Sequence, residues 1–340
     1  MVTTTGTRDI LANTFERTGT GSLLSATVGR WNGLVVFNYH RIGNALESSF
    51  DRALFSASQD EFEQQVRFLK RNFDIVGVED LPRVLHDASS QAVMITFDDG
   101  YLDNYEVAFP VLKEYKATAL FFIASGFLDD HPIAWWDEVA WMVRMCKLPN
   151  LQWKEYFEEP FPLKSEPAIA EAIRQLLLKL KSIPESEAAG FLTQLGAITG
   201  TGRCPEDVLD TIWMSWDMVR EMRRSGMDIG GHTVTHPVLA NCPTEQQRHE
   251  IQQSKLRIEQ ELAEPISAFS YPVGQPDSFT EETKQILAEA GYEWGFSFYG
   301  GYCPTSGFDP YDLKRMPVEK RVHRNLFRSI AKLPQLFAKK

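Results

Sequence analysis

Apolar positions along the chain follow two alternating rhythms. Short apolar, β-branched or aromatic runs occur at LVVFNYH (34–40), FDIVGV (73–78), AVMITF (92–97) and ALFFIA (119–124). They return at MDIGGH (227–232), ISAFSY (266–271), WGFSF (294–298) and RMPV (315–318). Several are apolar at nearly every position, as parallel strands covered on both faces are. Between them the apolar residues recur at helical spacing. Ser58 with Glu61 three residues on reads as a capping box, opening a helix with Phe62, Leu69 and Phe73 along one stripe. A second box is read at Thr244 and Gln247, ahead of Ile251, Ile258 and Leu262. The alternation predicts an α/β fold with a parallel sheet of seven or eight strands, enough to close into a barrel.

The rhythm breaks between 131 and about 216, where strand-poor stretches such as AWWDEVAWMVRM and AIRQLLLKLKSI predict a helical insertion. In a parallel barrel, segments inserted after strands lie at the C-terminal rim, where sites are built. The expected organisation is a helical extension over 1–33, a barrel over 34–318 carrying the insertion, and a basic helix or tail over 319–340.

Composition narrows the function classes. With 43% hydrophobic and 24% charged residues, a 340-residue chain has the make-up of a globular protein with a sizeable core. A net charge of -11 argues against a nucleic-acid footprint. Four scattered cysteines without C-x-x-C spacing read as free thiols in a reducing compartment. The N-terminus lacks a signal-peptide pattern, and no apolar run approaches the ~20 residues of a spanning helix. A cytoplasmic protein is therefore expected. The segment after Glu319 carries seven Lys/Arg and no acid, with Phe327, Ile330 and Leu333 at roughly helical spacing. It is expected to pack on its own domain, the alternative being a peripheral contact with the inner membrane face.

The chemistry gathers at strand ends. AVMITF runs into Asp98-Asp99-Gly100, MDIGG into His232 and His236, SAFSY into Pro272-Val273-Gly274, and LVVFNY into His40. In a parallel sheet these ends share one edge. One helical turn would set His232 and His236 on the same side. Two imidazoles and a carboxylate leave open positions, as a catalytic rather than structural zinc site does. A divalent cation also relieves two adjacent carboxylates, one ligating and the other taking a proton from a bound water whose pKa falls from ~15.7 toward ~7.

The order T-F-D-D-G, H-[ST]-x-x-H and Y-P-x-G resembles the polysaccharide deacetylases (carbohydrate esterase family four, the chitooligosaccharide-deacetylase-like enzymes) from about residue 34 to 318, apart from the insertion. The resemblance implies a distorted (β/α) barrel removing acetyl groups from N-acetylated sugars by attack of metal-bound water. It implies Asp98 as general base and Asp99, His232 and His236 as ligands of a divalent metal, Zn²⁺ first and Co²⁺, Ni²⁺ or Fe²⁺ as alternatives. Tyr271, Pro272 and Val273 would form the oxyanion and substrate wall, with the Val273 N–H facing the oxyanion. Ser270 stands where the family has an arginine, and Arg315 is the candidate substitute. The late L-x-H motif is absent. VVFNYH resembles the permuted branch that includes the poly-N-acetylglucosamine deacetylases, which makes His40 the general acid.

Trp135 and Trp136 are read as sugar-stacking or packing residues, and Tyr101 and Asn104 as pocket-lining. The expected partner is an N-acetylated sugar, an oligosaccharide, or a lipid-linked or nucleotide-linked glycan precursor; an O-acetyl substrate stays open. Three alternatives stand beside this reading. A glycan-binding protein without turnover is motivated by Ser270. An iron(II) facial triad does not need the second carboxylate. A two-carboxylate glycosidase is hard to build from neighbouring aspartates.

Overall fold

The computed structural model describes residues 7–18, 31–205, 212–319 and 322–338. The expected strands form at β1 (Gly33–Tyr39), β2 (Gln91–Phe97), β3 (Leu120–Ile123), β4 (Asp228–Gly231), β5 (Ala268–Ser270), β6 (Trp294–Phe296) and β7 (Arg315–Pro317). They follow one all-parallel path, β6-β5-β4-β3-β2-β1-β7. Its two ends approach through Leu313, which bridges Phe296 in parallel and accepts the Ser297 N–H at 3.0 Å. The result is a nearly closed, distorted barrel. The strand expected over 73–78 shrinks to Asp74–Ile75, which pairs with the first half of β2, whose last residues pair with β3.

Side-chain alternation sorts the strand residues into two cores. Val35, Phe37, Val93, Ile95, Phe121 and Phe269 pack outward against helices. Leu34, Val36, Ala92, Met94, Leu120, Phe122, Ala268, Phe296 and Leu313 fill the barrel interior. The interior is tight enough to require glycine at one point. A Cβ on Gly230 would sit 2.7 Å from the Phe122 ring and 2.8 Å from the Ala268 carbonyl oxygen. Carried toward the C-terminal strand ends, the same parity turns polar at Asn38, Thr96, Asp98, His232, Ser270 and Arg315. All six are buried. The functional layer is thus the top course of the barrel core.

Helix α1 (Thr7–Thr18) precedes the barrel, and α2 (Gln59–Asn72) opens on the Ser58–Glu61 box with both reciprocal bonds made. Between β3 and β4 lies the expected insertion, with α3 (Trp135–Met145), α4 (Glu166–Lys181) and α5 (Glu185–Thr199). Asn241, in the loop after β4, donates to the carbonyls of Lys181 (2.9 Å) and Ile183 (3.0 Å), tying α4 to the rim.

The box read at Thr244 does not form. Helix α6 (Thr244–Leu262) takes Pro243 as its cap, so Thr244 is already the first helical residue, and its hydroxyl donates to Glu282 at 2.9 Å. Gln247 is buried instead, between the Cys242 carbonyl and the Thr283 hydroxyl.

Helix α7 (Arg324–Lys332) buries Leu326, Phe327 and Ile330, with the Phe327 ring 4.5 Å from Phe37. The basic segment therefore lies on its own domain, and Asn325 joins it to Asn13 of α1 at 2.8 Å. The rest of the expected extension (1–6 and 19–30), residues 206–211 of the insertion, and residues 320–321 and 339–340 of the tail fall outside the described residues. Among the described residues no helix is long and apolar enough to cross a membrane.

Candidate active site

The two adjacent carboxylates point into different surroundings. Asp98 continues the interior parity of β2 and meets Arg315 from β7, whose guanidinium reaches it by a fork, Nη1 to Oδ1 at 2.7 Å and Nη2 to Oδ2 at 2.9 Å. Arg315 is fully buried, and its remaining donors go to the Ser297 carbonyl (2.9 Å), Asn38 Oδ1 (2.6 Å) and Ser270 Oγ (2.8 Å). All five guanidinium N–H groups are thereby used. Asn38 also donates to Asp98 Oδ2 at 3.2 Å, while its own oxygen accepts the Thr96 hydroxyl at 2.6 Å. Burial pushes the Asp98 pKa upward, but the Arg315 charge and hydrogen bonds outweigh it and hold the carboxyl well below the usual range.

Asp99 turns away from this network because its backbone is left-handed, at φ +78°. Its Oδ1, which has no hydrogen-bond partner, lies 3.4 Å from both His232 Nε2 and His236 Nε2. His232 Nδ1 is 2.7 Å from the Ser270 carbonyl, which can only accept, so Nδ1 carries a hydrogen and Nε2 is the ring atom turned toward Asp99. Burial, then the neighbouring His232, pulls the His236 pKa down to about 3. That ring is therefore neutral.

These three residues form the candidate metal group among the described residues, their ligand atoms lying within 4.8 Å of one another. They fit a divalent cation. An edge of 3.4 Å is too long for a good hydrogen bond, yet it matches the ligand-to-ligand edge of about 3.3–3.4 Å expected for tetrahedral bonds of ~2.0–2.1 Å.

The turn joining the histidines is not the helical turn expected. Residues 232–236 form an irregular bend with left-handed backbone at Thr233 (φ +67°) and His236 (φ +58°). Side chains hold it in place: Thr233 Oγ1 accepts the His236 N–H at 3.0 Å. Glu250 of α6 accepts the Val234 and Thr235 N–H groups at 2.7 and 2.9 Å and the Thr235 hydroxyl at 2.6 Å. Val273 is left-handed too (φ +64°), a costly conformation for a β-branched residue. Among the described residues the other three non-glycine positions with positive φ, Lys116, His131 and Ala263, are helix C-caps, so the unexplained strain there concentrates at this site.

A cavity of about 130 Å³ brings together His40, Asp98, Asp99, His232, His236, Tyr271, Val273, Trp135 and Trp136. The His40 Nε2 lies 4.0 Å from Asp98 Oδ2, and its ring meets Phe298 edge-on at 5.3 Å. The His40 backbone is pinned on both sides, its N–H by Ser56 Oγ (3.1 Å) and its carbonyl by Asn104 Nδ2 (2.6 Å). Trp136 packs its ring 4.4 Å from His236, and Trp135 Nε1 donates to the His236 carbonyl at 3.2 Å. Both tryptophans thus pack the ligand as well as lining the cavity. Tyr271 lines the cavity and stacks on Phe279 at 3.9 Å.

Three expected pocket residues lie elsewhere. Tyr101 is fully buried behind the wall, accepting from Trp136 Nε1 (2.7 Å) and donating to Asp137 (2.8 Å), because the Asp99-Gly100 turn directs it outward. Pro272 is buried in the turn and does not line the cavity. Asn104 supports His40 from behind. Sequence reasoning missed Asn38, whose signal was an amide inside an apolar strand. It also missed Glu250, Asp51, Lys181 and Phe298, whose roles follow from packing with no local pattern to reveal them.

A (β/α) barrel with an Asp–His–His metal group at its C-terminal rim defines the class. The family model "Polysaccharide deacetylase" matches residues 86–148 and 186–295, about half of the chain, and the protein belongs to that family. YxkH of Bacillus subtilis is 23% identical over 300 residues, 86% of this chain and 74% of that protein. A poly-β-1,6-N-acetyl-D-glucosamine N-deacetylase of Staphylococcus aureus is 30% identical over 111 residues, 29% of this chain and 38% of the relative. Among solved structures, the Streptococcus pyogenes deacetylase PplD in complex with acetate aligns with TM-score 0.56 at 18% identity, covering 91% of this chain and 100% of that one. IcaB from Ammonifex degensii aligns with TM-score 0.55 at 22% identity, covering 89% and 97%. At these identities the structural likeness speaks for the fold.

Proposed function

We propose that the protein is a metal-dependent hydrolase that removes an N-acetyl group from an acetylated sugar or glycan precursor. The observation that carries this reading is the division between two neighbouring carboxylates. Asp98 is held ionised by Arg315, while Asp99 offers an unpaired oxygen to the space it shares with two imidazole nitrogens.

Asp99, His232 and His236 would hold the cation, and two imidazoles with one carboxylate suit Zn²⁺. When bound, such an ion supplies Lewis acidity and a water acidic enough to lose its proton near neutral pH. Asp98 accepts that proton. Its low basicity suits a proton that is already loosened, and the Arg315 fork keeps its oxygens aimed. The Val273 N–H, which has no acceptor among the described residues, faces the developing oxyanion; the strained backbone at φ +64° presents it. His40, fixed by Ser56 and Asn104, gives a proton to the departing amine.

The reading without turnover was motivated by the serine at 270. With Arg315 filling the space beside Ser270, that motive falls away. The test is acetate release from N-acetylated chitooligosaccharides and from lipid- and nucleotide-linked N-acetyl sugars, after chelation and after reloading with Zn²⁺, Co²⁺ or Ni²⁺. Metal-restored release is expected on at least one of them. Its absence on every substrate at full metal occupancy would favour glycan binding without turnover.

A further inference from the structure

If His40 protonates the leaving nitrogen, the body of the substrate must extend from the metal group toward His40. A second cavity, about 580 Å³, opens on that side; His40, Asp51, Leu54, Leu177, Lys181 and Phe298 line it and the smaller cavity alike. Part of its wall is aliphatic, built from Leu54, Ala170, Ile173, Leu177, Leu178 and Val318, and the rest carries charged side chains. No tryptophan or tyrosine lines it among the described residues, so Phe298 alone offers an aromatic face on which a sugar ring could stack. Leu178, about half exposed, stands among these residues as an aliphatic side chain that water still reaches.

The charges of this cavity are unevenly matched. Arg52 and Arg144 both pair with Glu166 at 2.9 Å, and Arg174 pairs with Glu171 at 2.6 Å. Lys181 lines both cavities and has no carboxylate within ion-pair distance among the described residues. Its position is fixed, since its carbonyl accepts from Asn241 and its ammonium stem lies over Trp135, with Nζ 5.7 Å from the ring. Burial pushes its amine pKa down, and the carboxylates of Asp51 and Asp99, farther off than an ion pair, offset this only in part, so an anion in direct contact would regain lost charge stabilisation. A half-buried cation that acts on Asp51 and Asp99 only from beyond ion-pair distance, at the junction of a polar acetamide pocket and a chamber with an aliphatic wall, matches an amphiphile with its charge in the middle.

We propose that the larger cavity holds the hydrocarbon chain of a lipid-linked substrate, and that Lys181 binds the phosphate joining that chain to the acetylated sugar. The inference rests on the deacetylase reading and narrows its substrate class. Helix α4 of the insertion then serves as the specificity element, supplying Ile173, Leu177 and Lys181 from one face.

The test is calorimetric binding of butyl, octyl and dodecyl phosphate below their micelle concentrations to the full, metal-loaded chain. Octanol, inorganic phosphate and UDP-N-acetylglucosamine are the comparison ligands, and inhibition of acetate release is followed in parallel. Affinity is expected to rise about fourfold per methylene added until the chamber is full, with octyl phosphate at least tenfold tighter than octanol. Lys181→Met should erase the preference for phosphate and keep the chain-length series. Ile173→Asp should flatten the series with metal content unchanged. A flat series in the wild-type chain overturns the proposal, as does tighter binding of the nucleotide sugar than of octyl phosphate. A steep series with no acetate released from any substrate would remove the reaction while still supporting the amphiphile site, so the two failures are distinguishable.

Discussion

Arg315 and Ser270 act as one unit. The guanidinium arrives from β7, 217 residues beyond the carboxylate it grips, and it fits because Ser270 on β5 is small and accepts one of its hydrogens. Removing the arginine leaves Asp98 buried and uncompensated, a loss on the order of 3–5 kcal/mol. Arg315→Met should lower the unfolding free energy by about that much in urea titrations. It should also raise the Asp98 pKa, moving the acid limb of the acetate-release profile to higher pH. Ser270→Arg alone would press a second guanidinium into a space whose acceptors are all taken, and should destabilise the fold. Exchanging the two residues, Ser270→Arg with Arg315→Ser, should recover part of both stability and turnover. A harmless Ser270→Arg would contradict the shared-space argument. Arg315 was named from the sequence as the substitute for the guanidinium missing at Ser270, but the geometry that brings it to Asp98 was not legible there. The pairing depends on interior parity meeting at the top of the barrel, and neither spacing nor local pattern encodes that.

At the scale of elements, a buried acid is one of the contacts by which the insertion docks on the barrel. Asp137 of α3 accepts the Asp51 N–H at 2.9 Å and the Tyr101 hydroxyl at 2.8 Å, and Trp136 beside it packs on His236. Burial, only partly offset by the nearby Arg41, lifts the Asp137 pKa to about 7, against an ordinary carboxylate value near 3.8 in the unfolded chain. The folded state therefore holds the extra proton between those values, so this group's contribution to stability is full below pH ~4 and declines as pH rises toward 7. Asp137→Asn should flatten that part of the melting-temperature profile. An unchanged slope between pH 4 and 7 would show that Asp137 is already ionised there.

Helix α2 was legible because the Ser58 cap announced it. Where Pro243 took the cap, the Thr244 pattern misled, because the box residues found partners across the fold instead. The turn between the two histidines was misread for a related reason. Its shape is imposed from outside by Glu250 and Thr233, against the backbone's own preference.

For the whole molecule, the strand rhythm carried most of the fold: β1 to β7 lie where apolar runs predicted them, to within a few residues. Closure was less visible, since it runs through a bridge from Phe296 to Leu313, and Leu313 lies outside any of the apolar runs. The site was legible as strand-end chemistry because a parallel barrel gathers those ends on one rim. The supporting layer, Asn38, Glu250 and Lys181, was not, since burial and partner choice appear only once the chain is closed. The barrel core does not depend on the metal, so a chelated protein should stay folded yet melt earlier. Saturating metal at about 100 times its dissociation constant would add roughly 2.7 kcal/mol. A melting temperature indifferent to chelation would argue against a metal held by Asp99, His232 and His236.

The most direct test of the central claim separates the neighbouring aspartates. Metal content by mass spectrometry and acetate release would be measured on the same preparations of the wild-type protein, Asp98→Asn and Asp99→Asn. The account expects Asp98→Asn to keep its metal while acetate release falls by about 10²–10⁴-fold, and Asp99→Asn to lose metal and activity together. Full turnover in Asp98→Asn, or metal lost from that variant and kept in Asp99→Asn, would contradict it.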